Sequence, residues 1–155
     1  MKEFWIEIEE STPKDEKERL LQSSAALCDV VLVDESDRDL PRMYGAKKVA
    51  SAKNADILVL ETVDKEEIAR IKQQRGMVGV KVKIKGRTDE ELAADAANAG
   101  ADYVIISCSD WKIIPLENLI SKLRGRSKLL FVASNVNEAK VALETLELGA
   151  DGILL

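Results

Sequence analysis

The chain has no histidine. That removes the commonest general base and the commonest metal ligand, and with them any nucleophile that relies on a neighbouring imidazole. Catalysis has to use Asp, Glu, Lys, Tyr, Cys or a cofactor. The two cysteines, Cys28 and Cys108, are far apart and have no partner pair, so they match no zinc spacing and read as small buried hydrophobes. No uncharged apolar run approaches the ~18 residues of a membrane span. The opening, Met1-Lys2-Glu3-Phe4-Trp5-Ile6-Glu7, is too acidic for a signal peptide. Basic residues are not in excess: 23 Lys and Arg stand against 28 Asp and Glu, a net charge of -5 that argues against a general nucleic-acid surface. A cytoplasmic protein acting on a small molecule is expected.

What is present is a repeat. A small residue and an Asp lead into an apolar run four times: Cys28-Asp29-Val30-Val31, Ala55-Asp56-Ile57-Leu58, Ala101-Asp102-Tyr103-Val104 and Ala150-Asp151-Gly152-Ile153. Gly100 and Gly149 suit the left-handed residue that ends a helix, and the runs read as strands buried on both faces. Further strands are expected at Phe4–Ile8, 47–50, 78–85 and 129–133, giving eight. Helices are expected over 14–27, over 65–74 behind an Asp64 cap, after a Thr88-Asp89-Glu90-Glu91 capping box, after Pro115, and around Ala139 to Leu146. The connections after the second and third strands are too short for a full helix.

Eight short parallel strands alternating with helices predict a single compact (β/α)8 TIM-like barrel over residues 1–155, lean beside the typical ~250 residues. An open doubly wound sheet is the alternative, but no Gly-x-Gly-x-x-Gly loop follows the first strand. The last strand ends at Leu155 without a covering helix, so either a partner such as a second copy in a homo-oligomer is expected to cover it, or the chain is the front part of a longer protein.

Barrels place chemistry at the carboxyl ends of their strands. Those ends offer Glu7 and Glu9; Asp34 and Glu35; Ser51; Glu61; Lys83 and Lys85; Ser107, Ser109 and Asp110; Ser134 and Asn135. Lys81, Lys83 and Lys85 share one strand face. Facing the lumen, the last two would serve as amine nucleophiles or as cations for a substrate carboxylate or phosphate; on an open face they would simply be solvated. Glu7 reads as a general acid or base, or as an ion-pair partner of Lys83. Asp110 would bond a hydroxyl-rich substrate and Trp111 wall the pocket, or the two would cap and pack the next helix. Catalytic roles are therefore expected for Lys83, Lys85, Glu7 and Asp110, and substrate contacts for Trp111, Ser107, Ser134 and Asn135. The acidic run from Asp34 to Asp39 reads as a solvated loop, and no metal site is expected.

The stretch Asp110-Trp111-Lys112-Ile113-Ile114-Pro115-Leu116-Glu117-Asn118-Leu119-Ile120 resembles a segment of the archaeal-type 3-dehydroquinate synthases. Met1 to Ile8, Thr88 to Glu91 and Asn137 to Leu155 are similar to the same family, in order along the chain. The resemblance implies a cytoplasmic enzyme of aromatic amino-acid (shikimate) biosynthesis. It implies NAD-dependent oxidative deamination of 2-amino-3,7-dideoxy-D-threo-hept-6-ulosonate, followed by ring closure to 3-dehydroquinate. It also implies a further, β-rich carboxyl-terminal region, so that residues 1–155 correspond to the amino-terminal barrel. Two other readings stay open: a Schiff-base lyase or aldolase, and a non-catalytic domain that binds a metabolite or a partner.

Overall fold

A computed structural model describes residues 3–108, 116–123, 125–133 and 152–155. Eight parallel strands close into a barrel in sequence order. They are β1 (Glu3–Ile8), β2 (Val30–Val33), β3 (Val49–Ser51), β4 (Ile57–Leu60), β5 (Met77–Ile84), β6 (Tyr103–Cys108), β7 (Lys128–Val132) and β8 (Gly152–Leu154). The described helices are α1 (Lys14–Ser24), α2 (Leu40–Met43), α3 (Lys65–Gln73), α4 (Arg87–Asn98) and α5 (Leu116–Leu123). As the short connections implied, β2 is followed only by a tight turn over Glu35–Asp37 and the single-turn α2, and no helix separates β3 from β4.

Side chains alternate across each strand. Trp5, Leu32, Ile57, Ile105, Leu130 and Leu154 fill the lumen. The other face packs under the helices, with Val80, Val82, Val104 and Ile106 against Ile68 and Ile71 of α3 and Ala93 and Ala96 of α4. Being buried on both faces explains why the runs are continuously apolar rather than alternating.

The repeated aspartates stitch the amino-terminal end of the barrel. Each precedes an even-numbered strand and accepts a hydrogen bond from the backbone N–H of the preceding odd-numbered strand. Asp29 Oδ2 accepts from Phe4 at 2.7 Å, Asp56 Oδ2 from Val49 at 2.8 Å and Asp102 Oδ2 from Val78 at 2.9 Å. Those amides sit at or near strand starts, so the Asp side chain helps satisfy donors there. Asp102 also pairs with Lys72 Nζ at 2.9 Å. Asp102→Ala should lower stability by about 1–3 kcal/mol through the orphaned amide, read as a shift of the urea midpoint at unchanged m-value. Asp151 lies outside the described residues.

Closure explains the glycine that follows it. A Cβ on Gly152 would lie 2.3 Å from Glu3 O and 2.6 Å from Leu130 Cδ2, so only glycine lets β8 approach β1. Both edges of β8 are paired, with β7 and with β1. Closure thus satisfies the backbone of β8 along both edges.

A polar cluster closes the barrel below Trp5. Tyr103 Oη donates to Glu3 Oε1 at 3.1 Å, and Trp5 Nε1 donates to the same oxygen at 3.3 Å. Lys128 Nζ pairs with Glu3 Oε2 at 2.8 Å. The Trp5 and Tyr103 rings meet edge to face, 4.9 Å apart. Burial first, and then the Glu3 carboxylate, push the Tyr103 hydroxyl far above its ordinary range. A group with a raised folded pKa contributes stability that is complete below its unfolded value, about 10 for Tyr, and is lost as pH rises through the folded one. The urea midpoint should accordingly fall above about pH 10, and Tyr103→Phe should flatten that fall.

One helix start differs from expectation. Helix α4 begins at Arg87 with Gly86 at its cap, so Thr88 lies inside the helix, and Asp89 Oδ2 instead accepts from the Lys85 N–H at 2.7 Å. The cap on α3 forms as expected, with Asp64 Oδ1 accepting from the Glu67 N–H at 3.1 Å.

Candidate active site

Strand β1 carries three inward residues, Glu3, Trp5 and Glu7. The first closes the bottom of the barrel, the second fills its middle, and the third stands in the carboxyl-terminal mouth. On β5, four strands away in the closed order, the inward positions are Met77, Gly79, Lys81 and Lys83. Lys81 reaches across the lumen and places Nζ 2.8 Å from Glu7 Oε1. Its Nζ also lies 3.6 Å from Oε1 of Glu61, which follows β4. The lysine and Glu7 side chains are about a quarter exposed, at 26% and 29%, whereas Glu61 at 77% is largely in solvent.

These three residues border a cavity of about 280 Å³. Leu32 and Val59 line it from the inward face, and Glu9, Glu10, Asp34 and Glu35 stand around it. Burial opposes the charge on Lys81, but the hydrogen bond and charge of Glu7, joined by Glu61, outweigh it and hold the ammonium above its ordinary pKa. Chemically this is a fixed cation beside a carboxylate over an apolar floor. It can donate to a carbonyl oxygen while the carboxylate accepts a proton. A Schiff-base nucleophile must be neutral, and pairing works against that.

The ion pair considered for Glu7 thus forms with Lys81 rather than Lys83. Lys83 lies one inward step farther along β5, exposed, opposite half-buried Ser107 in the β5–β6 register. Lys85 is exposed just beyond the strand. Ser51 is fully buried, but it alternates with lumen-facing Ala50 and so points away from the mouth. Asp34 is occupied locally: it caps the turn by accepting from the Ser36 N–H at 3.0 Å and from Ser36 Oγ at 2.7 Å, which lowers its pKa. Asp37 pairs with Lys17 at 2.7 Å. Among the described residues no group of three potential metal ligands converges. Asp110, Trp111, Ser134 and Asn135 lie outside the described residues. Cys28 is buried and its thiol is pushed up by that burial, as suits a packing residue.

The sequence put Lys81 on one strand face with Lys83 and Lys85, and the lysine that pairs with Glu7 is the innermost of the three. The signal available was depth: in a barrel strand, the innermost charged residue is the one that must find a partner.

Comparison with known proteins agrees with this architecture. The family model for the 3-dehydroquinate synthase II N-terminal domain matches residues 1–155. The chain belongs to this family. It is 35% identical to the 3-dehydroquinate synthase of Methanosphaera stadtmanae over 159 residues, covering 100% of this chain and 44% of that protein. It is 34% identical to the enzyme of Methanocaldococcus jannaschii, again over 100% of this chain and 44% of the relative. The chain thus spans less than half the length of these relatives. Solved structures with the same fold include an orotidine 5'-monophosphate decarboxylase from Methanocaldococcus jannaschii, with a TM-score of 0.70 and 10% identity, covering 99% of this chain and 88% of that one. Another is KGPDC from Streptococcus mutans, with a TM-score of 0.71 and 11% identity, covering 100% and 87%. At such identities these two speak for the barrel alone. Among the described residues no helix is long and apolar enough to cross a membrane.

Proposed function

We propose that this chain is the amino-terminal barrel of a cytoplasmic 3-dehydroquinate synthase. Its substrate would be a small amino-keto sugar acid, 2-amino-3,7-dideoxy-D-threo-hept-6-ulosonate, converted to 3-dehydroquinate in aromatic amino-acid biosynthesis. The observation that carries the reading is Lys81, held as an ammonium beside Glu7 in the barrel mouth, in a chain whose whole length matches the family. A keto acid needs a donor for its carbonyl, a base for its proton and a cation for its carboxylate. Lys81 and Glu7 suit the first two needs. Lys83, with Ser107 beside it and Lys85 beyond, suits the third. Asp110, Trp111, Ser134 and Asn135 remain the candidates for substrate hydroxyls.

NAD is the cofactor this function implies, and it would supply the hydride acceptor for the oxidative step. The described residues do not fit its pyrophosphate. The rim carries Glu9, Glu10, Asp34, Glu35 and Glu61, like charges that would repel the phosphates, where dinucleotide sites use glycine-rich turns at helix amino termini.

The reading is tested by mixing the chain with the amino-keto heptulosonate and NAD and following NADH and 3-dehydroquinate together. Formation of both supports the reading in full. Substrate binding without product would assign the substrate to this barrel and the hydride step to the remainder of the longer enzymes. No binding and no product, in a buffer where the Methanosphaera stadtmanae enzyme turns over, overturns it.

A further inference from the structure

We infer that the Glu7–Lys81 pair catalyses proton abstraction next to a ketone, so that the carbon–carbon bond-forming chemistry of the reaction resides in this barrel and needs no dinucleotide. The inference rests on the function proposed above and assigns these two residues a step.

The geometry supplies what enolisation requires. Lys81 Nζ is anchored by Glu7 at 2.8 Å and by Glu61 at 3.6 Å. An ammonium has three donors, so one remains for a carbonyl oxygen entering over Leu32 and Val59. Glu7 uses Oε1 for Lys81, and its Oε2 has no partner among the described residues. Acid and base thus stand together at the mouth, joined through Glu7 Oε1 at 2.8 Å. The apolar floor beneath them keeps the developing enolate oxygen in a medium where a fixed cation is worth more than in water.

The step balances without a further reactant. Glu7 Oε2 takes the proton as the α C–H bond breaks. That electron pair becomes the C=C bond of the enol, and the carbonyl electron pair moves onto oxygen, where Lys81 Nζ donates. Attack of the α-carbon on a second carbonyl of the same molecule would close a ring, the first carbonyl re-forming and the proton on Glu7 passing to the new alkoxide oxygen; without that attack, return of the proton to carbon restores the starting ketone. No oxidation occurs.

The relatives' names supply a probe. 3-Dehydroquinate is a cyclic keto acid with a CH2 group between its ketone and the carbon that bears its carboxylate. Its α-protons should exchange with solvent on this site, in the absence of NAD. The experiment dissolves 3-dehydroquinate and the 155-residue chain in D2O and follows loss of that CH2 signal by proton NMR. The expected result is exchange well above the buffer rate, reduced about a hundredfold or more by Glu7→Gln or Lys81→Met, the range of general acid–base catalysis. Lys81→Arg and Glu7→Asp, which keep the charges, should recover part of it. Should Glu7→Gln not fold, Glu7→Asp decides. Exchange slowed but still above the buffer rate supports the base assignment, and exchange as fast as in the wild type overturns it. Exchange that is unchanged in folded Glu7→Gln overturns it as well. Exchange at the buffer rate while line broadening shows bound 3-dehydroquinate overturns the inference and leaves the proposed function standing; absence of binding overturns both.

Discussion

A Trp5→Ala variant should lose about 3–5 kcal/mol of stability, the cost of deleting a large aromatic from a packed core. Trp5 is fully buried in the middle of the lumen. It packs edge to face on Tyr103 and bonds Glu3, so its loss both opens a cavity and loosens the polar cluster that closes the barrel beneath it. Domains of this size are stable by only about 5–15 kcal/mol, so the variant should stand close to its unfolding limit at room temperature. Urea unfolding followed by far-ultraviolet circular dichroism measures this. A loss below 1 kcal/mol would mean that the lumen is not packed around Trp5 as described.

Lys81→Met should leave the barrel folded and weaken binding of 3-dehydroquinate by about 10- to 150-fold, the equivalent of one charge-assisted hydrogen bond of about 1.5–3 kcal/mol. Methionine keeps the length of the aliphatic stem and removes only the ammonium. The pair is about a quarter exposed on each side, so Glu7 can turn to water, and the cost in stability should be far smaller than the cost in binding. Isothermal titration of both proteins at neutral pH reads the difference. Equal affinities would make the ion pair a strut across the mouth with no hand in recognition.

Much of this architecture was legible in the sequence because a buried parallel barrel writes itself as a repeat. The Asp steps before Val30, Ile57 and Tyr103 marked the even strands, and they did so for a physical reason: each side chain holds the backbone amide of the neighbouring odd strand. Even the absence of a helix between β3 and β4 followed from connection length. Two things could not be read. The start of α4 moved because Asp89 is engaged by the Lys85 amide, a competition between two caps that a local motif does not reveal. The partner of Glu7 depended on how far around the barrel β5 lies from β1, and on which rung of its inward ladder meets the lumen's mouth. Alternation placed Lys81, Lys83 and Lys85 together, but only closure distinguished the paired lysine from the exposed ones.

On this reading the mouth around Lys81 is where the barrel meets a keto acid. Titrating the isotope-labelled chain with 3-dehydroquinate and mapping the amide and side-chain shifts by heteronuclear NMR tests it most directly. Perturbations should cluster at Glu7, Leu32, Val59, Glu61, Lys81 and Lys83, with the Lys81 ammonium among the largest. Shifts confined to the surface between α4 and α5, around Asp95, Lys122 and Arg126, or saturation with none at the mouth, would contradict it.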